Sequence, residues 1–252
     1  MPASLWIVTG SSRGLGAAML RRLLQPRAVL LGIARRNDPE LDGVAQAQGA
    51  RLEQWAHDLA DPVPVAQRLQ RWLADCDQDD FARITLINNA GALAEPAPVA
   101  ASDLVALAAA LRVSLEATVV LTAAFLRATQ AWPGARRVLN VSSGLGRRAL
   151  AGSAGYCAAK AGMDHFSRAV ALEEAGQANG ARVVSLAPGV IDTDMQTQLR
   201  GADPGAFPDR ATFVKLKEGG QLLSPDDAAD RVLAFLERAD FGTQPVADVR
   251  DT

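Results

Sequence analysis

Tyr156 and Lys160 stand four residues apart in Gly155-Tyr156-Cys157-Ala158-Ala159-Lys160, a segment with helical patterning. Residues at i and i+4 share a helix face, with Cβ atoms roughly 5–6 Å apart. A free phenol has a pKa of about 10 and exchanges protons poorly at neutral pH. A neighbouring cation favours the phenolate. Lowering the pKa by about three units takes about 4 kcal/mol of differential stabilisation. A tyrosine tuned in this way can act as a general acid or base. Such a pair on a surface helix is ordinarily two solvated neighbours, so its meaning depends on what the rest of the chain sets beside it.

Four other stretches combine chemistry with suggestive placement. Thr9-Gly10-Ser11-Ser12-Arg13-Gly14-Leu15-Gly16 lies between an apolar run and a helical pattern. Glycines there allow a tight turn, and a helix N-terminus offers free N–H groups to a pyrophosphate. No Gly-Lys-Ser/Thr follows, which argues against a nucleoside-triphosphatase loop. After the second apolar run come Ala34, Arg35 and Arg36, where an NAD-specific site usually has an acid. Arg13 and Arg35 suit a 2′-phosphate, and Asp38 is the nearest acid but stands too far along. Asn88-Asn89-Ala90-Gly91 lets a cofactor pass close to the backbone, and Asp58-Leu59 can flank an adenine. Ser142-Ser143-Gly144 offers a hydroxyl to a developing oxyanion, with either serine eligible on patterning alone.

Short β-rich runs alternate with longer helical patterns. Strands are expected at 5–8, 28–33, 51–56, 84–87, 137–141, 183–186 and 246–249. Helices are expected at 15–25, 63–74, 102–131 with a possible interruption, 156–175 and 225–237. Ser224 reads as the N-cap of the last, with Pro225 at its first position. Residues 191–223, rich in Gly, Pro and charge, read as a substrate-loop insertion with short helices. The alternation predicts an α/β fold: one Rossmann-like, doubly wound parallel sheet of about seven strands, helices on both faces, spanning 1–252 as a single domain. Ligands bind outside the carboxyl ends of such strands. Gly10, Arg35, Asp58, Asn88-Asn89, Ser143 and Pro188-Gly189 all fall there, which argues for one crevice.

Composition narrows the class. The chain has 252 residues, 49% of them hydrophobic, enough for a well-buried core. A net charge of −2 gives no footprint for nucleic acid or an anionic membrane. Cys76 and Cys157 make no disulfide framework, and His57 and His165 are too few for a metal site. Met1 to Thr9 has no cationic leader, and no uninterrupted apolar run reaches about 18 residues. These features read as a soluble cytoplasmic protein.

With these residues in place, the chain resembles the short-chain dehydrogenases/reductases over nearly its whole length. The likeness rests on Thr9-Gly10-x-x-x-Gly14-x-Gly16, Asn88-Asn89-Ala90-Gly91, Ser143, Tyr156-x-x-x-Lys160 and Pro188-Gly189. The family's serine lies about a dozen residues before its tyrosine, which selects Ser143. The resemblance implies Tyr156 as proton donor to a carbonyl. It implies that Lys160 lowers the tyrosine's pKa and holds the nicotinamide ribose, and that Ser143 orients the substrate. It also implies contacts to NADP(H) from Thr193 and the Val190 backbone, beside those of the glycine loop, Asp58-Leu59 and Asn89-Ala90-Gly91. Ala187 to Gln196 and Leu216 to Pro225 look like the sepiapterin reductase branch, to which the bacterial benzil reductases forming (S)-benzoin belong. In that branch an aspartate near the C-terminus anchors the pterin, and Asp248 falls at a similar place. Ser114 stands where many members carry an asparagine that helps hold a relay water.

The expectation is an NADPH-dependent reductase of ketones or α-diketones. Its partners would be a small carbonyl substrate and copies of itself in a homodimer or homotetramer. Leu145, Leu150, Met195, Phe207 and Phe213 are candidate substrate walls, with core packing an equal alternative for each. An alcohol or sugar dehydrogenase working oxidatively is the alternative enzyme. An NADP-binding sensor with impaired catalysis is the alternative of another class.

Overall fold

The computed structural model describes residues 3–251. Its sheet holds β1 (Ala3–Thr9), β2 (Val29–Ala34), β3 (Arg51–Ala56), β4 (Phe81–Asn88), β5 (Ala135–Val141), β6 (Arg182–Ala187) and β7 (Val246–Asp248). The strand order is β3-β2-β1-β4-β5-β6-β7, and every pairing is parallel. Period-two alternation feeds two apolar layers. Trp6 and Val8 pack into one, Leu5 and Ile7 into the other. The first layer is covered by α1 (Gly14–Leu23), α2 (Pro39–Gln48) and α9 (Pro225–Glu237). The second is covered by α3 (Pro62–Ala74), α5 (Ala117–Ala128) and α6 (Ala154–Ala175). Strands buried on both faces are what a near-continuous apolar run encodes.

Each expected strand is present, with ends displaced by no more than a few residues. Helix α2 was not expected, although its ends are signalled. Asp38 accepts a bond from the Glu40 N–H, Pro39 opens the helix, and Gly49 closes it at φ +65°. Only Leu41 and Ala45 of α2 are buried, so its apolar periodicity is too brief to read. Helix α4 (Leu104–Leu111) runs into α5 through one π-helical turn, Arg112–Glu116. No residue of α4 is buried, and Leu104 and Val105 are largely exposed.

The insertion carries α7 (Asp194–Gly201) and α8 (Arg210–Glu218) on a base closed by a parallel bridge between Ile191 and Leu223. It has a small core of Leu199, Ala202 and Phe207, against which Leu93, Leu150 and Phe213 pack. Phe207 is fully buried and meets Phe213 at 5.5 Å between ring centroids, so it supports the insertion and does not line an open wall.

Candidate active site

The strand order reverses between β1 and β4, and the crevice opens beyond their carboxyl ends. Gly10 and Gly14 have φ of +66° and +54°, conformations that favour glycine. A Cβ on Gly16 would lie 2.1 Å from the Gly10 carbonyl oxygen, so only glycine lets the loop close. Arg13 flanks α1 without a side-chain cap, and the first turn contains no acid. The first N–H groups of α1 and its positive dipole end therefore face the crevice as an anion site.

Thr9 locks this loop to β4. Its hydroxyl accepts from the N–H groups of Asn89 at 2.9 Å and Ala90 at 3.0 Å, while Asn89 Nδ2 donates to the Thr9 carbonyl at 2.9 Å. Thr9 is a site residue that sequence reasoning missed, although a hydroxyl ending an otherwise apolar run was the available signal. Asn88 turns the other way. Its Nδ2 donates to Thr122 and Asn140, and Asn140 Nδ2 donates to Ser167, which makes a buried polar chain from β4 to α6.

Helix α6 presents Tyr156 and Lys160 to the crevice. Lys160 is only 3% exposed, and its Nζ donates to the Val141 carbonyl at 2.7 Å. Nζ lies 5.6 Å from the centroid of the Tyr156 ring. The Tyr156 hydroxyl faces Ser143, whose Oγ accepts from the Leu145 N–H at 3.2 Å. Burial pushes the Tyr156 phenol up to about 12, against the lowering effect of Ser143. Burial also pushes the Lys160 ammonium down to about 8, against the field of Asp164. The expected depression of the tyrosine pKa is therefore reversed, because desolvation outweighs attraction. A phenol that holds its proton is the form a proton donor needs.

Ser114 sits in the π turn and is fully engaged. Its Oγ accepts from the Ala92 N–H at 3.0 Å and donates to the Ala92 carbonyl at 3.1 Å. A Cβ on Gly91 would lie 3.9 Å from both Ser114 Oγ and Lys160 Nζ. Serine thus pins the β4 loop beside Lys160. On the far wall, Gly189 adopts φ +86° after Pro188, and the Val190 carbonyl accepts from Leu223 N–H at 2.9 Å. Thr193 Cγ2 would be 3.6 Å from a Cβ on Gly14, so α7 opens against the glycine loop. Arg13 reaches across to pair with Asp194.

The remaining candidates divide. Ser12 is half-buried in the loop, and Leu15 uses its side chain in the core, which leaves only its backbone toward the crevice. Leu59 is buried, whereas Asp58 is exposed and caps its own turn through Ala60 N–H at 3.0 Å. Leu145 and Met195 are half-buried. Arg35 is exposed, and among the described residues no acid pairs with it. Asp38 caps α2, exchanges bonds with Gln54 and faces Arg21 at 3.4 Å. Asp248 is 5% exposed and paired with Arg250 at 2.6 and 2.8 Å, with Arg147 at 4.0 Å. Among the described residues, no group of three His, Cys, Asp or Glu is placed to hold a metal.

Comparison with known proteins follows this geometry. Residues 5–203 match the short chain dehydrogenase family. The chain belongs to that family. It is 34% identical to a benzil reductase ((S)-benzoin forming) of Bacillus cereus over 235 residues, 93% of this chain and 94% of the relative. It is 32% identical to sepiapterin reductase of Bos taurus, with 98% and 95% of the two chains covered. A solved structure of a putative NAD(P) dependent gluconate 5-dehydrogenase from Beutenbergia cavernae, with bound NADP, superposes with a TM-score of 0.81. That structure is 27% identical, with 99% of this chain and 96% of the other covered. As a member of the family, the chain is an oxidoreductase of carbonyl or alcohol groups that uses a nicotinamide dinucleotide.

The residues fit such a cofactor: the glycine cradle would be filled by a single Cβ, and the α1 N-terminus awaits an anion. Gly16→Ala should weaken dinucleotide binding by at least about tenfold, or ~1.4 kcal/mol, in a fluorescence titration. Its circular dichroism should match that of the unaltered protein.

Proposed function

We propose that this chain is an NADPH-dependent reductase of ketones and α-diketones, with a benzil-like or sepiapterin-like substrate favoured. The observation that carries this reading is the convergence of Ser143 and Tyr156 beside the buried Lys160 ammonium, which is fixed by the Val141 carbonyl. Bound NADPH would supply the hydride. Ser143 donates to the substrate oxygen and steadies the charge that develops there. Tyr156 gives that oxygen its proton. Lys160 stabilises the phenolate left behind, and Ser114 keeps the β4 loop docked against it. Two features support the 2′-phosphate: Arg35 is unpaired among the described residues, and Arg13 can exchange Asp194 for a phosphate. The occupation of Asp38 in capping α2 also disfavours a ribose-hydroxyl site. Leu145, Leu150, Met195 and Phe213 support an apolar pocket, and the two named reductases among its relatives support a ketone or α-diketone.

The same reading includes a homo-oligomer. The helix from Leu104 to Ala128 is apolar, and its first turns are exposed, with Leu104 and Val105 at 77% and 80%. Contiguous apolar surface of this kind marks an interaction site. A second copy fits it, since the far half of the same helix packs Leu121, Ala124 and Phe125 against the sheet and leaves only the first turns to be covered. Light scattering should give a dimer or tetramer, and Leu104→Glu with Val105→Glu should shift it toward monomer.

Loss of NADPH absorbance on adding benzil or sepiapterin tests the reaction. Turnover is expected, with NADPH preferred over NADH, and Tyr156→Phe should lower kcat by about 100-fold or more. Its NADPH affinity should stay within about twofold, or ~0.4 kcal/mol. Failure of every carbonyl to react while NADPH binds would refute the reading.

The pH dependence follows from the two shifted groups. Lys160 is charged below about 8 and loses its proton above it, whereas Tyr156 stays neutral until about 12. Reduction should therefore be flat on the acid side and fall about tenfold per pH unit above about 8. Tyr156 is the sole tyrosine of the chain, so an absorbance titration of phenolate reads it directly. Ionisation at or below its ordinary value would contradict this account.

A further inference from the structure

Tyr156, Lys160 and Asp164 follow at four-residue intervals on α6 and share one helix face. Asp164 is 2% exposed, a buried carboxylate that the reaction as described does not use. Its Oδ1 accepts from Ser142 Oγ and Ser185 Oγ, each at 2.6 Å. Its Oδ2 accepts from Arg147 Nε at 3.1 Å. Ser142 adjoins Ser143, and Arg147 ends the short turn that follows Ser143. One carboxylate therefore ties both ends of the Ser143 loop to the helix that bears Tyr156, with β6 as a third anchor. A Cβ on Gly146 would lie 2.9 Å from both Asp164 Oδ2 and the Lys160 carbonyl, so loop and helix touch without room for a side chain. Arg147 extends the brace by donating to the Ala247 carbonyl at 2.9 Å.

Burying a carboxylate is costly unless cations and donors face it, and here both do. Asp164 in turn faces Lys160, one turn away on α6. The other groups about Lys160 are Tyr156 on the same helix, the Val141 carbonyl from β5, Ser114 across Gly91, and Arg147 beyond Asp164. Of these, Asp164 is the one anion.

We propose that Asp164 is a positioning residue for the reduction, clamping the Ser143 loop onto α6 and offsetting the burial of the Lys160 ammonium. This rests on the roles proposed above for Ser143, Tyr156 and Lys160. It assigns a function to the spacing Tyr156-x-x-x-Lys160-x-x-x-Asp164 as a whole. The serine donor and the tyrosine come from different elements, and Asp164 is where those elements are joined.

The chain has three lysines, Lys160, Lys215 and Lys217, so side-chain NMR of labelled lysine can follow Lys160 without cofactor or substrate. Asp164→Asn keeps the size and removes the charge. Lys160 should then titrate about 1 pH unit lower, and the alkaline limb of kcat should move down with it. Arg147→Gln leaves the carboxylate without its cation, so Lys160 should titrate higher than in the unaltered protein while kcat falls. Arg147 is partly exposed, and this variant decides the matter if Asp164→Asn does not fold. An unmoved Lys160 titration in the folded variants makes Asp164 a packing residue and overturns the proposal. Shifted titrations in a protein that reduces no carbonyl would instead overturn the reductase reading.

Discussion

Taking an ammonium out of water costs several kcal/mol unless polar partners replace the solvent. Lys160 meets that demand with the end of β5, through the Val141 carbonyl, and with the field of Asp164. The position of Nζ is therefore set by the sheet and not by rotamer choice. Tyr156 is carried on the same helix face, one turn earlier, and its ring inherits that fixity. Ser143 follows two residues after Val141, so the strand that holds the ammonium also aims the second hydroxyl. Even the π turn belongs to this arrangement, since Ser114 presses the β4 loop against the same nitrogen. A lysine at the surface would leave each of these groups with rotational freedom.

The opposite wall depends on closeness and not on charge. Gly10, Gly14 and Gly16 bring the α1 N-terminus toward β4, and the Thr9 hydroxyl fixes the separation through two N–H groups. Between the two walls the insertion adds two sets of ion pairs: Arg13 and Asp194 meet across the opening, while Asp192 is held by Lys217 and faces Arg200 at 3.6 Å. The first pair is largely exposed and is worth little on its own. An exposed pair at a ligand's entrance is easily exchanged for a phosphate, whereas the half-buried Asp192 fixes the insertion's root.

The strands and the crevice were legible in the sequence because both rest on local patterning: apolar runs of strand length, each ended by a residue out of place in a core. Ser143, Tyr156, Lys160 and the glycines were legible for the same reason, helped by family spacing. Three things were not. Helix α2 buries two residues, so it leaves almost no periodic trace despite well-marked ends. The sign of the Tyr156 shift depends on how thoroughly neighbours exclude water, which no spacing records. The small core around Phe207 is the third, since an aromatic in a loop-like segment gives no sign of it.

The link between Thr9 and Asn89 joins residues 80 positions apart. Closing a loop of that length costs about 4 kcal/mol of chain entropy before any contact repays it. The first three strands and their helices can collapse locally, but in that state the glycine loop has no β4 to lean on. Non-local pairing of this kind is the slow part of folding a parallel sheet. The dinucleotide crevice thus exists only once β4 has paired with β1. A ligand that binds there stabilises only the finished molecule, and so it acts as a thermodynamic seal on completed folding and not as a template for its early stages.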